Sequence, residues 1–185
     1  MGRTILGIVL AALAVFFWGF VYRGLSPLPY TSWKHTNGDE AAQAALLEHF
    51  PENGTYHVLS PTHDETTLTQ LYTKGPVAFV HVTSQPGRPL HDMSPMIKGL
   101  LLYILVAAAL TPLLGLIPLS LDGIRNQIKI SGLMGLVAAL LIDLGDVVWW
   151  YLSLEWKLHT GIYHMTSWMI MTVVLCQFIP PKRNA

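Results

Sequence analysis

Three long windows of this chain contain no Asp, Glu, Lys or Arg, at positions 4–22, 99–121 and 158–181. An α-helix rises about 1.5 Å per residue, so about 20 such residues cross the roughly 30 Å hydrocarbon core of a bilayer. A fourth apolar stretch, from about 130 to 154, is as long but contains Asp143 and Asp146. The pattern predicts an all-α integral membrane protein with four transmembrane helices.

The composition agrees with a membrane protein and excludes several functional classes. Charged residues make up only 12% of the chain and hydrophobic residues 52%, whereas a soluble domain carries about 25% charged residues. The net charge is zero and no run of like charges offers a surface for nucleic acid, so we expect no nucleic-acid partner. A single cysteine, Cys176, excludes an intrachain disulfide and a thiolate zinc site.

The first window begins like a secretory signal, because Arg3 precedes an apolar run. It ends in Trp18, Phe20, Tyr22 and Arg23 where a cleavable signal would have small residues. An aromatic cluster before a cation is typical of a membrane interface. Residues 1–23 are therefore predicted to be an uncleaved signal-anchor helix.

The orientation follows from the basic residues of the short segments, because Lys and Arg concentrate on the cytoplasmic side of a membrane. Four spans would bring these residues to one side, which predicts cytoplasmic N- and C-termini. They are Arg3, Arg125, Lys129, Lys182 and Arg183.

Residues 24–94 are predicted to form a small α+β extracytoplasmic module between the first and second helices, with the three-helix region at 95–185. Strong helix formers at 39–48 stop before Pro51, and two β-like runs follow at 55–59 and 77–83. A module of this size buries little apolar surface, so we expect it to rest on the membrane helices or on another protein.

One face of the third predicted helix carries small residues and then two carboxylates. Small residues let another helix approach closely, so this face is expected to look into the helix bundle or to bind a protein partner or a second copy. The face consists of Gly132, Gly135, Ala139, Asp143, Asp146 and Trp150.

The fourth helix supplies candidate partners for these carboxylates. A loop centred near residue 155 or 156 would bring Asp146 level with His164 and Asp143 level with Ser167. A carboxylate near the bilayer centre costs about 2.5–3.5 kcal/mol on insertion scales, so it is normally paired, protonated or hydrated. Three interpretations stay open: interhelical hydrogen bonds that hold the hairpin, a proton- or cation-responsive site, or a site completed by another subunit.

No other pattern indicates chemistry. His91 and Asp92 precede the second span and could extend the polar site outward. The histidines of the module lack the spacing of metal ligands, and the chain has no nucleophile elbow or HExxH motif. We therefore predict no catalytic, metal-binding or cofactor-binding residue, and a membrane enzyme that uses His91, Asp92 and His164 is the least favoured alternative.

Several short motifs occur in an order that resembles a group of small uncharacterised bacterial inner-membrane proteins. They are Phe17-Trp18-Gly19 at the end of the anchor, a P-x-x-G-x-Y stretch from Pro51 to Tyr56, and Gly75-Pro76 before an apolar strand, followed by three closing helices. The resemblance implies a bacterial inner membrane and a periplasmic module, and it assigns no site residues.

These patterns lead to two functional expectations. The first is a non-enzymatic accessory, assembly or interaction subunit of the inner membrane. The alternative is a small proton- or cation-responsive carrier or sensor that uses Asp143, Asp146, His164 and Ser167 as an intramembrane polar site.

Overall fold

The computed structural model describes residues 2–85, 87–116 and 123–179. The chain is mostly helical and falls into two compact units, one with the residues up to Trp33 and from Met93 onward, the other with Lys34–Asp92. The helices are α1 (Gly2–Gly19), α2 (Asp39–His49), α3 (Glu65–Lys74), α4 (Ser94–Leu116), α5 (Ile124–Trp150) and α6 (Leu154–Leu175), and the strands are β1 (Gly54–Val58) and β2 (Ala78–Val82).

Three helical segments are long and apolar enough to cross a membrane, namely Gly2–Leu25, Ser94–Leu116 and Ile124–Trp150. The sequence predicts four spans, and the charge-free window at 158–181 begins on α6. That window has no charge, but its imidazole and hydroxyl side chains, such as those of His164 and Thr166, lower its mean hydropathy. The described residues therefore support a membrane protein with three candidate spans.

The core of the helical unit forms where α1, α4 and α6 meet. α6 contacts α1, α4 and α5, so it lies between the N-terminal helix and α5. A Cβ placed on Gly7 would lie 2.6 Å from the Cβ of Phe178, so only glycine allows this close approach. The buried side chains of this core are Ala11, Val15, Ala107, Leu110, Leu114, Met171 and Leu175.

The end of α1 changes its helical geometry before the chain leaves the bundle. Phe20–Leu25 forms a π-helical turn, in which the Ser26 N–H reaches the carbonyl of Val21 at 3.1 Å. A short 3-10 helix, Leu28–Tyr30, follows and packs against α6. Residues 24–33 therefore belong to the helical unit.

α5 and α6 form an antiparallel hairpin with a connection of three residues, 151–153. Tyr151 ends α5 in the left-handed conformation, with φ 55°, and Ser153 caps α6 by accepting a hydrogen bond from the Trp156 N–H at 3.4 Å. Sequence reasoning placed this loop near 153–157. It also placed Arg125 and Lys129 in the preceding loop, whereas both lie in the first turns of α5.

The second unit contains a two-stranded antiparallel sheet, with Tyr56 opposite Val80, together with α2 and α3. α2 occupies the predicted helix and both predicted strands are present. α3 was not predicted; its N-terminus is capped by Asp64, which accepts from the Thr67 N–H at 3.0 Å. None of the described residues of this unit is buried.

Candidate functional site

Asp143 is the buried carboxylate of the α5–α6 hairpin, and only 2% of its surface is exposed. Its Oδ2 accepts a hydrogen bond from Nδ1 of His164 at 2.9 Å. Its Oδ1 lies 3.4 Å from Nζ of Lys157. Both partners lie on α6, so Asp143 ties the two helices together.

Lys157 joins both carboxylates of α5. Its Nζ lies 2.5 Å from Oδ2 of Asp146 in addition to its contact with Asp143. The Lys157 side chain is 10% exposed and that of Asp146 is 29% exposed, so the ammonium points inward while Asp146 still meets the surface. These four residues, Asp143, Asp146, Lys157 and His164, are called the Asp–Lys–His cluster below.

The charge of the cluster depends on His164. Two carboxylates and one ammonium leave one negative charge while the imidazole is neutral. A proton on His164 would give two cations opposite two carboxylates and balance the cluster. Burying charges is costly unless they are paired, and Lys157 is the cation that contacts both carboxylates.

The contact with Asp143 also fixes the role of each imidazole nitrogen. An ionised carboxylate only accepts hydrogen bonds, so Nδ1 of His164 donates, and in the neutral ring Nε2 is the free base. The His164 side chain is 41% exposed. The hydrogen bond to Asp143 therefore leaves Nε2 as the uncommitted ring nitrogen.

The pairing within the cluster differs from the pairing predicted from sequence. We expected His164 to contact Asp146 and Ser167 to lie near Asp143. Instead His164 forms a hydrogen bond with Asp143, and Lys157 forms an ion pair with Asp146. The Ser167 hydroxyl donates to the Tyr163 carbonyl at 2.7 Å. The reason is the turn: its centre is at 152 instead of 155 or 156. Each α6 residue is therefore level with an α5 residue about six to eight positions earlier than predicted, which is about two helical turns.

Lys157 is the site residue that the sequence prediction missed, because a loop centred near residue 155 or 156 leaves Lys157 beside the turn and outside the paired helices. Two signals could have identified it. Ser153 followed by an acid is typical of a helix start, and Lys157, Gly161 and His164 recur at spacings of four and three, which places them on one helical face.

The small-residue face of α5 is covered by α6 of the same chain. A Cβ on Gly135 would lie 3.0 Å from the Met165 Cα, and one on Gly161 would lie 3.3 Å from the Ala139 Cβ. Gly132 contacts the Met169 side chain. The expectation that this face looks into the bundle is confirmed, and binding of a partner through the same residues stays a prediction.

A groove of about 140 Å³ leads from the apolar surface of the hairpin to the cluster. Asp143 and Lys157 lie in its lining, among side chains that are otherwise apolar: Leu136, Ala139, Leu140, Leu144, Leu158, Gly161, Ile162 and Met165. The cluster is thus reached from the surface of the hairpin through an apolar entrance.

His91 and Asp92, the predicted outward extension of the site, belong to the second unit. Their role beside the cluster stays a prediction. Within residues 2–85, 87–116 and 123–179, no group of three or more His, Cys, Asp or Glu side chains is arranged to hold a metal ion.

No protein-family model matches the chain, and neither curated proteins nor solved structures give a match. The geometry of the chain's own residues therefore carries the functional argument.

Proposed function

We propose that this chain is a small membrane protein that responds to protons through the Asp–Lys–His cluster, as a sensor or carrier. The observation that carries this proposal is the hydrogen bond between the buried Asp143 and the partly exposed His164. Histidine is the side chain that commonly changes charge between about pH 5 and 8. A proton entering at Nε2 of His164 supplies the missing positive charge of the cluster.

Protonation would redistribute the contacts of Lys157. The Lys157 ammonium contacts both Asp143 and Asp146. Once the imidazole is charged, it balances Asp143 and leaves the ammonium to Asp146. Asp143 is the charged group in contact with His164, and Lys157 joins Asp143 to Asp146.

The test compares the full chain in lipid nanodiscs at about pH 5 and 8. The amide protection factors of the α5–α6 hairpin compare each exchange rate with the intrinsic rate at the same pH. They are expected to differ between the two pH values in the wild type and to be equal at both in His164→Gln. His49→Gln is the matched control, because it removes a histidine at the end of α2 in the other unit. A pH response that persists in His164→Gln would refute the proposal.

The second candidate is a non-enzymatic accessory, assembly or interaction subunit. It is favoured by the unit Lys34–Asp92, in which no described residue is buried. Large apolar side chains stay exposed there, among them Leu47 at 63% and Tyr72 at 53%. A two-stranded sheet without a core is marginal alone, so a partner surface would stabilise it.

Purification from native membranes in a mild detergent tests this candidate. A protein that copurifies in a fixed ratio, identified by mass spectrometry, would support an accessory role. Recovery of the chain alone, as a single protomer or a homo-oligomer, would contradict it.

We further propose a bacterial inner membrane with four spans, cytoplasmic termini and residues 24–94 in the periplasm. In its support, α6 has 22 residues, about 33 Å of helix, and runs antiparallel to α5. The Arg3 guanidinium donates to the Gln177 carbonyl at 2.8 Å, so the start of α1 and the end of α6 share one end of the bundle. A reporter fused after Asn184 should be cytoplasmic, and a periplasmic signal would refute this topology.

A further inference from the structure

A second cavity, of about 320 Å³, adjoins the cluster on the other side of Lys157. It lies between the π-helical turn that ends α1, the 3-10 helix and the first two turns of α6. Its lining contains two cationic side chains and no carboxylate. The lining residues are Tyr22, Arg23, Pro29, Tyr30, Trp33, Trp156, Lys157, His159 and Thr160. We call it the aromatic–basic cavity.

Arg23 is the cation that the cavity offers to a ligand. The Lys157 ammonium already contacts two carboxylates, whereas no described carboxylate forms an ion pair with Arg23. The Arg23 guanidinium lies 4.2 Å from the centre of the Tyr163 ring, and the Tyr163 hydroxyl is held by that of Tyr103 at 2.6 Å. Stacking positions the guanidinium plane, and its edge can still donate paired hydrogen bonds.

The aromatic walls of the cavity are held in place by contacts within the same unit. Trp33 meets Tyr30 edge to face at 5.0 Å and Trp156 at 6.2 Å between ring centres. The Tyr22 hydroxyl donates to the His159 carbonyl at 3.0 Å, which joins the end of α1 to α6. The walls are therefore preorganised for a ligand with an apolar part.

We propose that the aromatic–basic cavity binds the phosphate group of an amphipathic phosphate ester, with Arg23 on the phosphate and Trp33 and Trp156 against the attached carbon groups. A cationic ligand is disfavoured, because Arg23 lines the cavity and no carboxylate does. The volume lies at the lower end of small-molecule sites, about 300–1,000 Å³, and suits a headgroup. Two sources share this chemistry: the headgroup of an anionic phospholipid and a soluble phosphate ester.

This proposal goes beyond the response to protons, and its test changes Arg23 and Trp33, which are outside the Asp–Lys–His cluster. Failure of one proposal therefore leaves the other standing.

Native mass spectrometry of the full chain in detergent tests the cavity, with phosphatidylglycerol and phosphatidylcholine as probes. The wild type is expected to retain phosphatidylglycerol in preference to phosphatidylcholine. Arg23→Gln should weaken phosphatidylglycerol binding by about 10- to 100-fold, the range expected for hydrogen bonds to a charged group. The matched control is Arg125→Gln, the same exchange at the far end of α5, and it should bind as the wild type does.

Two results would overturn the proposal: equal retention of both lipids by the wild type, or unchanged phosphatidylglycerol binding in Arg23→Gln. Trp33→Leu supplies a second variant and should also weaken binding, and circular dichroism verifies that each variant folds. Competition with a large excess of glycerol phosphate distinguishes a phospholipid headgroup from a soluble phosphate ester. Displacement of the lipid indicates a soluble phosphate ester, and retention of the lipid indicates a headgroup.

Discussion

Replacement of Lys157 by Met should destabilise the chain strongly, because the ammonium joins two carboxylates in the α5–α6 hairpin. Removing one partner of a buried ion pair costs about 3–5 kcal/mol. Asp143 is 2% exposed and would lose its contact with Lys157, but it would keep His164. Asp146 is 29% exposed and can regain water. Because Asp143 keeps one partner and Asp146 is partly exposed, the expected loss of unfolding free energy is near the lower limit of this range, about 3 kcal/mol.

The assay is equilibrium unfolding by SDS in mixed micelles, read by circular dichroism, and Lys98→Met is the control. Lys98 lies on the exposed surface of α4, so the same exchange there should change the unfolding free energy by less than about 0.5 kcal/mol. Adding Asp143→Asn to Lys157→Met should recover part of the loss, because the buried charge disappears with its partner. A Lys157→Met variant within about 1 kcal/mol of the wild type would refute the reasoning.

Two further changes test the packing of the hairpin and the cap of α3. Gly135→Ala should cost about 1–3 kcal/mol of unfolding free energy, since the new Cβ would lie 3.0 Å from the Met165 Cα. The control is Gly145→Ala, which should be neutral or stabilising because its new Cβ would have nothing within 4 Å. Equal effects of the two substitutions in SDS unfolding would contradict this packing. The hydrogen bonds from Thr67 hold the pKa of Asp64 below its ordinary value, so the cap stabilises α3 at neutral pH and is lost as the pH falls through that lowered pKa. The amide NMR signal of Thr67 should follow this loss in the wild type and not in Asp64→Ala, and a wild-type signal that does not change with acid would refute the assignment.

Sequence reasoning found the helical windows but overestimated how apolar the last one is. The absence of charge was sufficient to identify α1 and α4 as candidate membrane spans, because their windows are rich in Leu, Ile, Val and Ala. α6 also lacks charge over its last turns, yet His164 and a series of hydroxyl residues make it less apolar than α5, which contains Asp143 and Asp146. Whether a helix can span a membrane depends on the summed free energy of transferring all its side chains into the bilayer, and not on charge alone.

The face of the candidate site could be predicted, and its pairing could not. Periodicity alone placed Asp143 and the small residues on the side of α5 that meets α6, because helical spacing needs no knowledge of loops. Which α6 residue lies opposite Asp143 depends on the length of the turn. A left-handed Tyr151 ends α5 earlier than its apolar pattern suggested, and this shift brought Lys157 into the site. The missed α3 has a different cause, since its short apolar stripe of Leu68, Leu71 and Tyr72 stands among four Thr residues, whose helix propensity is low.

The three-residue turn between α5 and α6 links the two helices during biosynthesis. Each carboxylate of α5 would cost about 2.5–3.5 kcal/mol at the centre of a bilayer if it arrived alone. Lys157 follows Asp146 by 11 residues (157 − 146), so at about 5–20 residues per second it leaves the ribosome within roughly two seconds. In the four-span topology that we propose, the insertion machinery would receive the acids and their lysine almost together, and the hairpin, not the single helix, would be the unit that enters the membrane.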